Sequence, residues 1–139
     1  MNPEYEFGIK VETRMLQIAV AICSVVPISA GAAGVLQGVA LFDEQIANPA
    51  DLDAHFRYLS GLLLGIGLAY ISAVPGIERR RHRFLLLGGL VVLGGVGRLV
   101  AVLSRGSASP IVIGALVMEL LVTPALTVWQ LRISRRTTP

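Results

Sequence analysis

The sequence has little of what soluble enzymes and metal sites are built from. Its 139 residues contain one cysteine, Cys23, two histidines and only 15% charged residues. One cysteine excludes an intramolecular disulfide, a cysteine-based zinc cluster and a CxxC redox motif. His55 and His82 are too few for a histidine metal site, and no P-loop, HExxH or GxSxG motif is present. We therefore expect no metal and no cofactor.

Polar residues are also scarce, and this scarcity excludes two further classes of protein. The chain is 54% hydrophobic with a mean hydropathy of +0.71, too apolar for a disordered chain or an ordinary soluble domain. The net charge of +3 suggests nucleic acid at first sight. The arginines, however, cluster beside apolar runs, which is typical of membrane topology, so we expect no nucleic-acid partner.

Four long apolar runs predict four membrane-spanning helices, because about 20 residues cross a bilayer. We place them at residues 15–41, 51–74, 84–104 and 110–131. Residues 1–14 form a polar lead and residues 132–139 a basic tail. Short loops make consecutive helices antiparallel neighbours, so the predicted fold is all-α, an integral membrane four-helix antiparallel bundle.

Local signals refine these boundaries. Apolar residues alternate with polar ones in the lead, which predicts an extended interfacial segment, or a strand that pairs with another protein. Pro27 is expected to kink the first helix, because it frees the carbonyl of Cys23. Asn48-Pro49 and Ser109-Pro110 predict the starts of the second and fourth helices. The first run resembles a signal peptide but is long enough to span, so we expect a retained helix.

The basic residues predict the orientation. Nine of the twelve lysines and arginines fall on one side of the predicted spans. They are Lys10, Arg14, Arg79, Arg80, Arg81, Arg83, Arg132, Arg135 and Arg136. Because cytoplasmic loops carry an excess of such residues, both termini and the central loop are expected in the cytoplasm.

Charges inside the apolar runs point to a polar focus within the membrane. Arg98 and Glu119 lie within the third and fourth runs, where a charge costs at least roughly 2.5–3.5 kcal/mol on insertion scales. Arg57 and Gln37 lie in the same predicted outer half. Small residues mark helix contacts in membranes and share faces with these polar residues. The predicted packing glycines are Gly34, Gly38, Gly61, Gly65, Gly94 and Gly95.

Two interpretations of this focus stay open. In the structural one, Arg98 pairs with Glu119, and Asp53 pairs with Arg57 one helix turn away, to fix the packing of the helices. In the functional one, the arginines Arg57, Arg98 and Arg105 outnumber the buried carboxylate. The positive remainder, with Gln37 nearby, would suit a phosphate or carboxylate headgroup whose apolar tail reaches between the helices.

Several of these residues form a pattern that resembles the DUF4345 family. The pattern is His55-x-Arg57-x-x-x-Gly61, Gly94–Gly97 followed by Arg98, Arg105-Gly106 before Pro110, and Glu119. The resemblance covers roughly residues 30–131. It implies a small four-helix bacterial membrane protein, supports the polar cluster and implies no activity. Residues 2–13 lie outside it.

Two functions follow as hypotheses. The first is binding of a lipid or anionic amphiphile, with membrane lipids as partners, in an outer-half pocket formed by Arg57, Arg98, Glu119, Gln37 and Arg105. The second is an accessory subunit that docks on a larger membrane complex through the polar lead and the glycine faces. An enzyme is not favoured. Acid–base catalysis would have to rely on Glu119, His55 or Tyr58. The expected location is the bacterial inner membrane.

Overall fold

The computed structural model describes residues 3–41 and 50–137, and within them every regular element is helical. The helices are α1 (Pro3–Gln37), α2 (Ala50–Ala73), α3 (Arg81–Arg105), α4 (Pro110–Val117) and α5 (Thr123–Thr137). Short 3-10 turns occur at Gly38–Leu41 and Ile77–Arg79. A π-helical turn at Met118–Val122 joins α4 to α5.

Four segments of the described chain are long and apolar enough to cross a membrane. They are Glu6–Leu41, Ala50–Ala73, Arg81–Arg105 and Pro110–Thr137. Large apolar side chains are exposed along all four, which in water would be an aggregation hazard and in lipid is the expected surface. The predicted all-α class and the predicted number of membrane-capable helices are confirmed for the described chain, and they indicate a multi-pass membrane protein.

The helices form two compact units, each of which has its own packing. One unit is Ile18–Val74, and the other combines Met1–Gln17 with Pro75–Pro139. The first therefore contains α2 and most of α1. The second contains the start of α1 together with α3, α4 and α5.

Glycines bring α1 and α2 together within the first unit. A Cβ on Gly31 would lie 2.6 Å from the Leu64 backbone nitrogen, and one on Gly67 would lie 2.7 Å from Ile28 Cγ1. Later residues of α1 thus meet earlier residues of α2, so the two helices run antiparallel. No side chain fits at these two glycines without displacing the neighbouring helix.

The second unit packs α3 against α5 in the same antiparallel sense. A Cβ on Gly88 would lie 2.6 Å from Thr127 Oγ1, and the Gln130 amide donates to the Ile77 carbonyl at 2.8 Å. Phe84, Ile77 and Gln130 are fully buried at this end. By contrast, α3 has no buried residue after Gly95, and α4 has none at all. The unit is closely packed at one end and open at the other.

The prediction of an extended polar lead is wrong, because α1 already begins at Pro3. Extending an existing helix costs far less than nucleating a new one. Glu6 and Lys10 are also four residues apart, in the order that stabilises a helix. At Glu12 the segment gains a tertiary contact, since the carboxylate accepts from Arg136 Nη1 at 3.0 Å.

The predicted basic tail is likewise helical, because α5 continues to Thr137.

Pro27 lies inside α1, which continues to Gln37. The predicted start of the fourth span is confirmed: Pro110 is the first helical residue, and the Ser109 hydroxyl accepts from the Val112 N–H. The predicted cap at Asn48-Pro49 lies outside the described residues.

Candidate functional site

Arg98 and Glu119 form a two-pronged ion pair in the open half of the second unit. Arg98 Nε donates to Glu119 Oε2, and Nη2 donates to Oε1, both at 3.0 Å. Such a fork-to-fork geometry is among the stronger hydrogen-bonded pairs, and it fixes orientation as well as distance. The arginine side chain is 40% exposed and the glutamate side chain 17%. The carboxylate is therefore the more deeply seated partner.

Close helix contact below the pair brings the carboxylate within reach. Gly95 lies three residues before Arg98, and a Cβ there would lie 2.8 Å from both Glu119 Cβ and Leu120 Cδ2. Only a glycine leaves room for the π turn at this distance. The sequence thus combines a glycine that faces Glu119 with an arginine one turn further along α3.

A shallow cleft opens beside Arg98, where α3 ends and α4 begins. Its volume is about 300 Å³. Its polar lining comes from Arg98, Arg105, Ser107 and Ser109, and its apolar lining from Ala101, Val102, Ala108 and Val112. The loop that connects the two helices carries both serines, so the cleft lies at the end of the spanning segments.

The charge balance of the cleft is positive. Glu119 neutralises Arg98 through Nε and Nη2, so Arg98 Nη1 keeps its donors free of any partner in the described chain. The Arg105 side chain is exposed and makes no ion pair within residues 3–41 and 50–137. The first turn of α4 adds the partial positive charge of a helix N-terminus. This arrangement suits an anionic group such as phosphate or carboxylate.

Arg57 has a different role in the first unit. Its Nε donates to Asp53 Oδ2 at 2.6 Å, and its Nη1 donates to the carbonyls of Val35 and Leu36 at 2.6 and 3.0 Å. Asp53 Oδ1 in turn accepts from the Val39 N–H at 3.0 Å. The pair thus satisfies backbone groups that the end of α1 leaves without helical partners.

Gly38 completes this arrangement with a backbone φ of +63°, a left-handed conformation that glycine adopts at helix ends. A Cβ there would collide with Asp53 Oδ1 and lie 2.6 Å from Arg57 Nη2. The ion pair predicted from the spacing of Asp53 and Arg57 is present. This ion pair caps the end of α1.

The residues predicted as one pocket therefore divide between the two units. Arg98, Glu119 and Arg105 lie together at the cleft and its adjoining ion pair. Arg57 lies in the other unit, and so does Gln37, which is exposed at the end of α1. Each unit thus contains one of the two predicted arginine–carboxylate pairs.

The predicted packing glycines divide as well. Gly34, Gly38 and Gly95 approach neighbouring side chains closely, and a Cβ on Gly34 would collide with Ser60 Oγ. A Cβ on Gly61 would reach only Val35 Cγ2, at 3.9 Å. Gly65 and Gly94 have no neighbour within 4 Å of that position in the described chain. Of the six predicted glycines, Gly34, Gly38 and Gly95 are therefore the ones at which a side chain would displace a neighbour in the described chain.

Sequence reasoning missed Ser107 and Ser109 as cleft residues, and it missed the π turn that carries Glu119. The signal for the turn was present. Pro124 has no N–H to bond the Leu120 carbonyl, and Thr123 before it has a hydroxyl that can donate to a backbone carbonyl in the preceding turn, here that of Met118. In the described residues no three His, Cys, Asp or Glu side chains group into a possible metal site.

Comparison with known proteins gives one result that bears on identity. The family model "Domain of unknown function (DUF4345)" matches residues 15–130. The chain belongs to the DUF4345 family. The DUF4345 match includes Arg57, Arg98, Arg105 and Glu119 and excludes both residues of the Glu12–Arg136 ion pair. Searches of curated proteins and of solved structures gave no match.

A charge exchange tests whether the pair at Arg98 stabilises the unit. Arg98→Glu and Glu119→Arg should each lower the melting temperature in detergent, because each places two like charges together. The double variant should recover most of the loss, with a coupling energy of about 1–3 kcal/mol. Arg105→Glu is the matched control: Arg105 makes no ion pair in the described part of the chain, so adding Glu119→Arg to it should rescue nothing. Additive losses at Arg98 and Glu119 would contradict the pairing.

Proposed function

We propose that this multi-pass protein of the bacterial inner membrane binds a lipid or another anionic amphiphile at the cleft between α3 and α4. The observation that supports this most is the contrast between the arginines. Arg57 donates three hydrogen bonds to its own unit. Arg105 donates none from its side chain in the described chain, and Arg98 keeps Nη1 free beside it.

The size of the cleft favours a headgroup over a whole enclosed ligand. About 300 Å³ is at the lower limit of small-molecule pockets. A phosphate group fits such a volume, whereas an acyl chain does not. The chain would instead lie outside, along the exposed apolar side chains of the spanning helices, where it remains in contact with lipid.

The depth of the two arginines fits a lipid phosphate. Arg105 is the last residue of α3, and Arg98 lies seven residues deeper, about 10 Å along the helix axis. Arg105 would hold the headgroup near the membrane surface, and Arg98 would attract it inward. Because an arginine at depth is costly without an anionic partner, the ligand and Glu119 would stabilise it jointly.

The orientation that we propose places this cleft at the outer leaflet, with both termini and the central basic loop in the cytoplasm. In a Cys23→Ser background, a membrane-impermeant maleimide should label Ser107→Cys from outside intact spheroplasts and should not label Thr137→Cys. After permeabilisation both should react. Labelling of Thr137→Cys alone in intact spheroplasts would contradict the orientation.

Lipid retention tests the binding. A lysophospholipid with a phosphate monoester headgroup should remain bound in native mass spectrometry of the wild-type protein. Arg105→Gln should weaken retention about tenfold, which is the effect of losing one charge-assisted hydrogen bond, without lowering the melting temperature. Arg81→Gln, an exposed arginine at the opposite end of α3, is the matched control. Equal retention by all three proteins would contradict the proposal.

Docking on a larger membrane complex is the second candidate. The observation that favours it is the start of α1, where Phe7 is 70% exposed and lies outside the family match. The same spectra distinguish the two functions. A fixed protein partner that is lost on deletion of residues 2–13 would support docking, and a lipid lost in Arg105→Gln supports the cleft.

A further inference from the structure

The fourth spanning segment changes its hydrogen-bonding pattern at Glu119. The π turn covers Met118–Val122, and the Thr123 N–H donates to the Met118 carbonyl five residues earlier. The Thr123 hydroxyl donates to the same carbonyl at 2.8 Å. Pro124 follows directly, and its ring excludes the normal bond to Leu120. Two adjacent residues thus replace the α-helical pattern.

The other intramembrane proline shows that proline alone does not produce this turn. Pro27 lies inside α1, which remains α-helical on both sides of it. The residue before it is Val26, which has no hydroxyl. Other threonines bond four residues back, as Thr127 does to Thr123 and Thr13 does to Ile9. The bond from Thr123 to a carbonyl five residues back is therefore the distinguishing feature.

The π turn determines where Glu119 points. Below the turn, α5 is held by the Gln130 bond to Ile77 and by Thr127 against Gly88. A π turn places one extra residue in the helix, so its removal would rotate the upper part by about 100° and shift it by about 1.5 Å. With α5 held in place, that rotation would turn the Glu119 carboxylate away from Arg98.

We propose that Thr123 and Pro124 are positioning residues. They hold the π turn that directs the Glu119 carboxylate to Nε and Nη2 of Arg98, which leaves Nη1 to the cleft. The orientation of Glu119 stands on the hydrogen bonds above. The further consequence, that these two residues set affinity for an anionic headgroup, rests on the proposed function.

A double-mutant comparison without ligand tests the positioning role. In the wild-type background, the double variant Arg98→Gln/Glu119→Gln should lower the melting temperature by less than the sum of the decreases in the two single variants. In the Thr123→Val/Pro124→Ala background the shifts should become additive, because the pair is already broken. Pro27→Ala is the matched control and should leave the non-additivity unchanged. Undiminished non-additivity in the Thr123→Val/Pro124→Ala background would overturn the proposal.

Two further measurements keep the test decisive. If the Thr123→Val/Pro124→Ala protein does not fold, Thr123→Val alone should reduce the non-additivity and Thr123→Ser should restore it; equal values for both would overturn the proposal. Retention of the phosphate-monoester lysophospholipid is then measured on the same variants. Lost non-additivity with unchanged retention supports the positioning role and contradicts only the consequence for headgroup affinity, whereas retention absent from the wild-type protein contradicts the proposed binding function.

Discussion

The ion pair between Arg98 and Glu119 is the constraint on which the open half of the second unit depends. A lone charge at this depth is unfavourable, and the structure offsets it with a second charge from the facing segment, bonded through two prongs. Gly95 permits the approach, and the π turn presents the carboxylate. The second charge, the glycine and the π turn all serve to pair this one arginine.

The position of the pair in its unit supports the proposed function. Buried apolar side chains such as Phe84 and Ile77 concentrate at one end of the unit, and their packing needs no ligand. At the other end, the Arg105 side chain and Nη1 of Arg98 have no hydrogen-bond partner in the described chain, and both arginines line a small cleft. The contrast with Arg57, whose donors are used to close the end of α1, separates an arginine with a structural task from arginines available to an anion.

Composition and local pattern were enough to predict much of this fold. The four spans follow from apolar length, the Ser109 cap from its proline neighbour, and the Asp53–Arg57 pair from a four-residue spacing. The opposite signs of Arg98 and Glu119 predicted their pairing. These features depend on neighbours in sequence, or on the high cost of leaving an intramembrane charge alone.

The failures come from interactions that local patterns do not encode. The period-two alternation at the start of the chain suggested an extended segment, but helix elongation from the first span and the Glu12–Arg136 contact outweigh it. The π turn depends on Thr123 and Pro124 acting together. Its effect, which is to orient Glu119, can be recognised only when the tertiary structure places Arg98 opposite. Likewise, the assignment of Arg57 and Arg98 to different compact units depends on tertiary packing, which their similar predicted depth does not encode.

The most direct test of the account is the distance between a lipid phosphate and the two cleft arginines in a bilayer. Solid-state NMR can measure dephasing of the guanidinium carbon of each arginine by phosphorus in membranes that contain a phosphate-headgroup lipid. The account predicts strong dephasing, from a separation of about 4–5 Å as in an arginine–phosphate hydrogen bond, at Arg98 and Arg105 and none at Arg57. Dephasing at Arg57 alone, or at none of the three, would contradict it.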